Sequence, residues 1–116
     1  MATVYIYRPK SFFGMALHPT VMLDGKDLIN IGNGRVFRGE FEPAKRAFRM
    51  DDGESGAEID LKAGETYYMK VVIVPGLWKG GGQLSLMAAE QGSFEIKELK
   101  PIEQDEIEDP GFRKAR

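Results

Sequence analysis

The stretch from residue 21 to residue 50, VMLDGKDLINIGNGRVFRGEFEPAKRAFRM, decides the fold class of this chain. Three turn signals separate its short apolar runs: Asp24-Gly25, Asn33-Gly34 and Pro43-Ala44-Lys45. Asp-Gly and Asn-Gly favour tight hairpin turns because these residues tolerate positive φ. The stretch therefore predicts a meander of short antiparallel strands, in which Asp24 and Asn33 act as turn residues rather than as ligands.

Apolar residues alternate with polar ones inside the predicted strands. Phe37 and Phe41 fall on one strand face and charged residues on the other, the period of two that marks a half-buried strand. Residues 66–74 form the longest apolar run, with Tyr67, Met69, Val71 and Ile73 on one face and further apolar residues on the other. This run predicts a central strand whose second face is partly covered.

The remaining elements extend the same architecture. Residues 3–8 predict a first strand that ends at Pro9, and residues 83–87 predict a last strand with Leu84 and Leu86 pointing inward. Residues 88–99 predict a helix that packs on one side through Phe94, Ile96 and Leu99, although Gly92 weakens it. The sequence thus predicts an all-β, antiparallel sandwich of the immunoglobulin-like or prealbumin-like kind with a short C-terminal helix. Residues 1–99 form this domain, and residues 100–116 form a charged, flexible tail.

Composition indicates one ordinary globular domain of 116 residues, with 42% hydrophobic and 29% charged residues. The net charge of −2 provides no global field for nucleic acid. The sequence has no apolar run of transmembrane length and no visible signal peptide. The absence of cysteine excludes disulfides and thiolate metal sites without choosing a compartment.

The sequence offers little for catalysis, and the chain is interpreted as a non-enzyme without a cofactor. His18 is the single histidine, and it has no cysteine partner and no Gly-x-Ser-x-Gly motif to accompany it. The Gly80-Gly81-Gly82 run is not a phosphate cradle because neither Lys-Ser nor Lys-Thr follows it. Residues 51–60 gather acidic side chains that suit calcium, but they lack EF-hand spacing. Solvated turn charges are the preferred interpretation, and no metal site is predicted.

Two connections carry large apolar side chains, and two interpretations of them remain open. Residues 10–18 contain Phe12, Phe13, Met15 and Leu17, and Trp78 precedes the glycine run. These aromatic residues form either a contact patch for a partner or ligand, or the covers that close the ends of the core. Core closure is preferred because large aromatic residues are mostly buried. The candidate contact residues are Phe12, Phe13 and Trp78.

Several sequence blocks occur in a characteristic order: ATVYIYRP at residues 2–9, PTVMLDGK at 19–26, NGRVF at 33–37, PAK at 43–45 and AGETYY at 63–68. This arrangement resembles an uncharacterised family of bacterial proteins, often lipoproteins, whose domain is classed as one of unknown function. It is more distantly similar to PEGA-type β-domains of bacterial surface proteins. The resemblance implies a small β-sandwich held on the periplasmic or outer side of a membrane by an N-terminal lipid, with the signal peptide and lipid-bearing cysteine removed. It implies no catalytic residues.

The sequence therefore predicts a non-catalytic, cell-envelope-associated domain that binds or scaffolds another protein. An edge strand is the natural docking element, by strand addition. The alternatives are a module that binds a sugar, peptide or lipid through its aromatic loops, and an enzyme with a carboxylate pair assembled in space. No nucleic-acid partner is expected, and membrane contact is expected only through the lipid. A cytoplasmic location is the alternative if Met1 is the native start.

Overall fold

The computed structural model of the protein describes residues 1–51, 55–73 and 82–113. Within these residues the chain forms two packed β-sheets and one α-helix, α1 (Ala89–Glu95). The strands are β1 (Ala2–Arg8), β2 (Thr20–Leu23), β3 (Lys26–Asn30), β4 (Arg35–Phe41), β5 (Ala44–Met50), β6 (Gly56–Leu61), β7 (Thr66–Ile73), β8 (Gly82–Met87) and β9 (Lys100–Pro101). The predicted all-β sandwich with a short C-terminal helix is confirmed.

The first strand lies in the middle of a five-stranded sheet with the order β8-β7-β1-β4-β9. It runs antiparallel to β4, where Ile6 faces Phe37, and parallel to β7, where Ile6 faces Met69. The pairing of β4 with β9 is also parallel. Strands β2 to β6 lie between β1 and β7 in the sequence, so the connection from β1 to β7 is a long crossover. A long crossover permits parallel pairing, and the sheet is therefore mixed rather than wholly antiparallel.

The second sheet has the order β3-β2-β5-β6 and is antiparallel throughout. Asp24 and Gly25 join β2 to β3 with φ values of 51° and 83°, as a tight hairpin turn requires. The Asp24 carboxylate accepts the backbone N–H of Ala47 at 2.9 Å and pairs with the Arg46 guanidinium. These contacts lower the pKa of Asp24 and confirm its role as a turn residue.

The other two turn signals connect different sheets, so the predicted meander over residues 21–50 is wrong. At Asn33-Gly34 the chain leaves β3 in one sheet and enters β4 in the other, and at Pro43 it returns to β5 in the first. Gly34 has the expected positive φ of 70°. The expected turn at Pro43-Ala44 is absent because Ala44 already pairs with Leu61 at the start of β5.

The core lies between the two sheets and follows the predicted alternation closely. Phe37 and Phe41 of β4 are buried, as are Met69 and Val71 of β7. Of the two leucines predicted to point inward from β8, Leu84 is buried, whereas Leu86 is 51% exposed. Leu86 departs from the prediction because Ser55 contacts the first half of this edge strand, at Gly82 and Leu84, and does not reach Leu86.

The helix is shorter than predicted. Of the three residues predicted to pack, Ile96 and Leu99 are half-buried and Phe94 is exposed. It ends at Glu95 and continues as a 3-10 turn over Ile96–Glu98. Phe94 is 71% exposed and does not pack on the sheet. Gly92 makes the contact instead, because a Cβ there would lie 2.4 Å from the Tyr68 side chain. No helix in the described ranges is long and apolar enough to cross a membrane.

The segment that follows the helix belongs to the sandwich through Arg113, contrary to the predicted flexible tail from residue 100. Ile102 and Ile107 are buried in the core. The Phe112 ring packs on Phe37 and Phe41, with ring centroids 5.9 Å and 4.9 Å away. These three apolar residues lie among many charged residues, so the composition of the segment did not indicate that they are buried. They cover the β4 side of the core.

Candidate functional site

The connection between β1 and β2 presents its apolar side chains to solvent. Phe12 is 93% exposed, Met15 is 54% exposed and Phe13 is 49% exposed, and Leu17 is also exposed. The preferred interpretation, that this loop closes the core, is therefore wrong for Phe12 and Phe13. Trp78, the third candidate contact residue, lies outside the described residues.

A buried arginine binds the backbone of this loop from the core side. Arg8 ends the inward-facing series of β1, and its side chain is 2% exposed. Its guanidinium donates hydrogen bonds to the carbonyl oxygens of Gly14 and Leu17, both at 2.6 Å, and of Ile31 at 3.1 Å. Burial lowers the pKa of Arg8, yet a guanidinium stays protonated in proteins. Arg8 therefore binds the loop backbone at Gly14 and Leu17, while the Phe12 and Phe13 side chains of the same loop are exposed.

Further contacts hold the same loop at both of its ends. The N–H of Ser11 donates to the Asn33 side-chain oxygen at 2.9 Å, and the N–H of Leu17 donates to the Gly14 carbonyl at 2.9 Å. Gly14 has a φ of +69°, and a Cβ at this position would lie 2.9 Å from Ile73 Cγ2. The loop therefore packs on the end of β7 through Gly14.

The exposed apolar residues are continuous with the outer face of β7. Val72 is 41% exposed and lines a groove of about 220 Å³ together with Phe13, Pro9 and Lys70. On the other side of the loop, a cavity of about 280 Å³ lies between Phe12, Met15, Lys10, Ser11 and Asn33. We call the set Phe12, Phe13, Met15, Leu17 and Val72 the apolar loop surface.

A set of charged residues, mostly acidic, borders the apolar loop surface on the side of Met15. Here His18, Arg35 and the carboxylates of residues 103, 105 and 106 surround a depression of about 360 Å³. Glu106 uses its carboxylate structurally, since one oxygen accepts the N–H of Gly32 at 2.9 Å and the other accepts the N–H of Glu103 at 3.0 Å. Arg35 lies 3.4 Å from Glu103. These contacts stabilise the C-terminal segment and leave His18 without a triad geometry among the described residues.

Residues 51–60 carry the acidic side chains that the sequence offers as a candidate calcium site. In the structure Glu58 pairs with Lys45 and Asp60 pairs with Lys62, each at 3.5 Å. Residues 52–54 lie outside the described residues. Within the described ranges no three histidine or acidic side chains converge as metal ligands.

Arg8 is the residue that sequence reasoning missed. The signal was present, because Ala2, Val4, Ile6 and Arg8 share one face of β1 and the first three are apolar. A charged residue that continues an inward-facing series must find several acceptors. In this protein the acceptors are backbone carbonyls, and no sequence motif marks them.

No curated protein and no solved structure matches the chain significantly. A family described as Protein of unknown function (DUF2846) matches residues 1–82, which include β1 to β7 and the whole apolar loop surface. The anchoring Arg8 also lies in the matched part. This match covers well over half of the 116 residues. The chain therefore belongs to the family Protein of unknown function (DUF2846).

Proposed function

We propose that this protein is a non-catalytic, cell-envelope-associated domain that docks another protein through its apolar loop surface. The observation that carries the proposal is the combination of Phe12, 93% exposed, with a loop backbone held by the buried Arg8. Contiguous exposed apolar patches larger than a few hundred Å² usually mark binding sites on monomeric proteins. A fixed loop also binds at a lower entropic cost than a loop that must be ordered on binding.

The shape of the surface favours a protein partner. Phe12 projects from the loop, and a projecting aromatic side chain requires a pocket on the other molecule. Protein interfaces concentrate their energy in such aromatic residues at the centre of a patch. A charged border around an apolar centre is also the usual anatomy of a protein interface.

The second candidate is a small-ligand site for a sugar, a peptide or a lipid. The cavity of about 280 Å³ beside Phe12 favours it, because Lys10, Ser11 and Asn33 supply polar groups next to apolar walls. Its volume lies slightly below the usual range for ligand pockets, roughly 300 to 1,000 Å³. The most exposed residue also stands beside the cavity rather than buried within it. The protein partner is therefore the stronger proposal.

The envelope location rests on the resemblance of the sequence to bacterial lipoproteins. It is tested on the native protein by fractionating the source cells and measuring the intact mass of the mature chain. A lipid-modified chain in the membrane fraction is the expected result. An unmodified chain that begins at Met1 in the cytosol would refute the location and leave the docking proposal standing.

Docking is tested by placing a photo-crosslinking amino acid at position 12 in the source cells. The matched control carries it at position 94, where Phe94 is also strongly exposed but lies on α1. We expect one protein of defined mass to be crosslinked from position 12 and not from position 94. With that protein purified, Phe12→Ala should weaken binding roughly 30-fold, as expected for an aromatic hot spot of about 2 kcal/mol. Equal labelling from both positions, or equal affinity of Phe12→Ala and wild type, would refute the proposal.

A further inference from the structure

The groove beside Phe13 forms where the first strand leaves its sheet. β1 pairs with β7 as far as Tyr7, which faces Lys70. Pro9 follows, and because proline has no N–H group it cannot extend the ladder. β7 continues to Ile73, so a gap of about 220 Å³ opens between this strand and the loop. The position of the proline therefore creates the groove.

The walls of the groove combine apolar surface with positive charge. Pro9, Phe13 and Val72 supply the apolar surface, whereas Arg8 and Lys70 supply two cationic side chains. No acidic residue is among the described residues that line the groove. An anion that enters the groove would therefore meet positive charge and no opposing carboxylate on its walls.

The charge of Arg8 has no carboxylate partner in the described part of the chain. Its three hydrogen bonds all go to neutral carbonyl oxygens, those of Gly14, Leu17 and Ile31. None of the ion pairs among the described residues includes Arg8. A guanidinium has five N–H groups, so these three bonds leave part of its donor capacity unused. Buried charges are normally paired with a group of opposite sign, and here that group is missing.

We propose that this groove takes the carboxylate of an aspartate or glutamate side chain of the docked protein. This inference rests on the docking function proposed above and names the chemistry of the partner at one point of the contact. The carboxylate would lie toward Arg8 and Lys70, and its methylene stem would lie against Phe13 and Val72. Since Phe13 and Val72 belong to the apolar loop surface, the groove is continuous with the proposed interface.

The size and the walls of the groove favour an acidic side chain over other anions. A volume of about 220 Å³ lies below the range of roughly 300 to 1,000 Å³ that is usual for a whole small-molecule ligand. It suits one side chain. A phosphate group is polar on every side and would leave the apolar walls without a contact, whereas an acidic side chain has an apolar stem. Hydrogen bonds between a guanidinium and a carboxylate are also among the strongest in proteins.

Sodium butyrate is the probe for this site, because it carries a carboxylate on a short apolar stem. In amide NMR of the full chain, the signals of Ser11, Lys70 and Val72 should shift and saturate together, with a dissociation constant on the order of 10 mM. Butyramide has the same shape without the charge and should bind at least about tenfold more weakly. Sodium chloride keeps the ionic strength constant.

Three outcomes of this titration would overturn the proposal. The first is equal binding of butyrate and butyramide, which would show that the charge of the groove does not contribute. The second is a set of butyrate shifts spread over lysines outside the groove. The third is tighter binding of inorganic phosphate than of butyrate, which would assign the groove to a phosphate group.

Two pairs of variants test the groove itself. Lys70→Gln removes one cation and should raise the butyrate dissociation constant at least about threefold, whereas Lys45→Gln on the other sheet should leave it unchanged. Because Lys70 also contacts Glu95, urea unfolding checks that the variant stays folded. Val72→Glu places a carboxylate in the groove, so it should prevent butyrate binding and unfold at a higher urea concentration than the neutral Val72→Gln. Equal behaviour within either pair would overturn the proposal.

The docked protein provides the last test, and failure of this proposal can be told from failure of docking. If the protein crosslinked from position 12 is captured, replacing its acidic residue at the contact with the matching amide should weaken binding about tenfold. Full affinity of every such amide variant would overturn the carboxylate proposal and leave docking in place. Butyrate binding without any crosslinked protein would refute docking, and with it the partner as the source of the carboxylate.

Discussion

The hydroxyl of Tyr7 donates a hydrogen bond of 2.6 Å to the carboxylate of Glu95, which joins the first strand to the helix 88 residues later. The second carboxylate oxygen accepts a hydrogen bond of 3.0 Å from Lys70 on β7. Tyr7 is fully buried, and burial, followed by the contact with Glu95, raises its pKa. The hydrogen bond from Tyr7 and then the contact with Lys70 lower the pKa of Glu95. These three side chains hold α1 on the outer face of the sheet.

Tyr7→Phe should lower the free energy of unfolding by about 1.5 to 3 kcal/mol, because it removes a hydrogen bond to a charged group. The control is Tyr68→Phe, since the Tyr68 hydroxyl has no hydrogen-bond partner in the described part of the chain and its ring stacks on Tyr5. That change should cost less than about 0.5 kcal/mol. Urea unfolding measures both variants. Equal stability of Tyr7→Phe and wild type would show that the hydrogen bond makes no net contribution to the free energy of unfolding.

The same contact predicts a loss of stability at alkaline pH. The folded state raises the pKa of Tyr7 above its ordinary value near 10. A raised pKa means that the unfolded state loses this proton first. The stabilisation is therefore complete below about pH 10 and declines as the pH rises above that value. Thermal unfolding from pH 8 to pH 11 should show a decline in wild type that is smaller in Tyr7→Phe. Parallel curves would contradict the prediction.

Gly92→Ala should destabilise the protein although alanine is the better helix former. The added Cβ would lie 2.4 Å from the Cβ and Cγ of Tyr68, so α1 must move away from β7. We expect a loss of about 1 to 3 kcal/mol. The better helix propensity of alanine returns at most about 1 kcal/mol, which the cost of the clash outweighs over most of its range. Ser93→Ala, at an exposed position of the same helix, should leave stability unchanged or raise it. A gain at both positions in urea unfolding would mean that Gly92 does not set the helix position.

The alternation of apolar residues and the turn residues predict the strands before α1, the inward faces of β4 and β7, and the Asp24-Gly25 hairpin, but not β9. They are not enough to assign strands to sheets. Asn33-Gly34 carries the local signature of a hairpin, yet it connects two sheets, because a positive φ at Gly34 is compatible with either path. Which sheet receives the next strand depends on contacts far along the chain. The parallel pairing of β1 with β7 depends on such contacts as well.

The sequence favours closure of the core by the loop of residues 10–18, whereas Phe12 and Phe13 are exposed in the structure. An apolar composition predicts burial of the loop side chains. Here the Arg8 guanidinium draws the carbonyls of Gly14 and Leu17 inward. Phe12, which has no contact with Arg8 among the described hydrogen bonds, is 93% exposed. Burial of this loop could not be inferred from its own residues, because the deciding group lies on β1.

Ile107→Ala should lower the free energy of unfolding by about 2 to 5 kcal/mol, the usual cost of removing a buried isoleucine side chain. Ile107 is 2% exposed and bridges to Ile29 of β3. The neighbouring Asp105→Ala changes an exposed position and should stay within about 0.5 kcal/mol of wild type. Urea unfolding of the full chain measures both. An Ile107→Ala variant as stable as wild type would show that the segment after the helix does not contribute to the core.

Arg8→Met should destabilise the protein by about 2 to 4 kcal/mol, because it keeps an apolar side chain but leaves the carbonyls of Gly14, Leu17 and Ile31 without a donor. Arg8→Lys should lie between Arg8→Met and wild type, since a compact ammonium group cannot span the carbonyls as the guanidinium fork does. Arg38→Met, at an exposed position on β4, is the matched control and should change stability by less than about 0.5 kcal/mol.

The same variants separate a local role of Arg8 from a global one. If Arg8 fixes the apolar loop surface, Arg8→Lys should be cleaved by chymotrypsin after Phe12 and Phe13 faster than wild type under conditions where the rest of the chain stays folded. Amide exchange at Leu17, whose N–H donates to Gly14, should rise in parallel. Affinity for the docking partner should fall as well, because ordering the loop would then oppose binding. Unchanged cleavage and exchange in Arg8→Lys would mean that the loop keeps its conformation without the guanidinium.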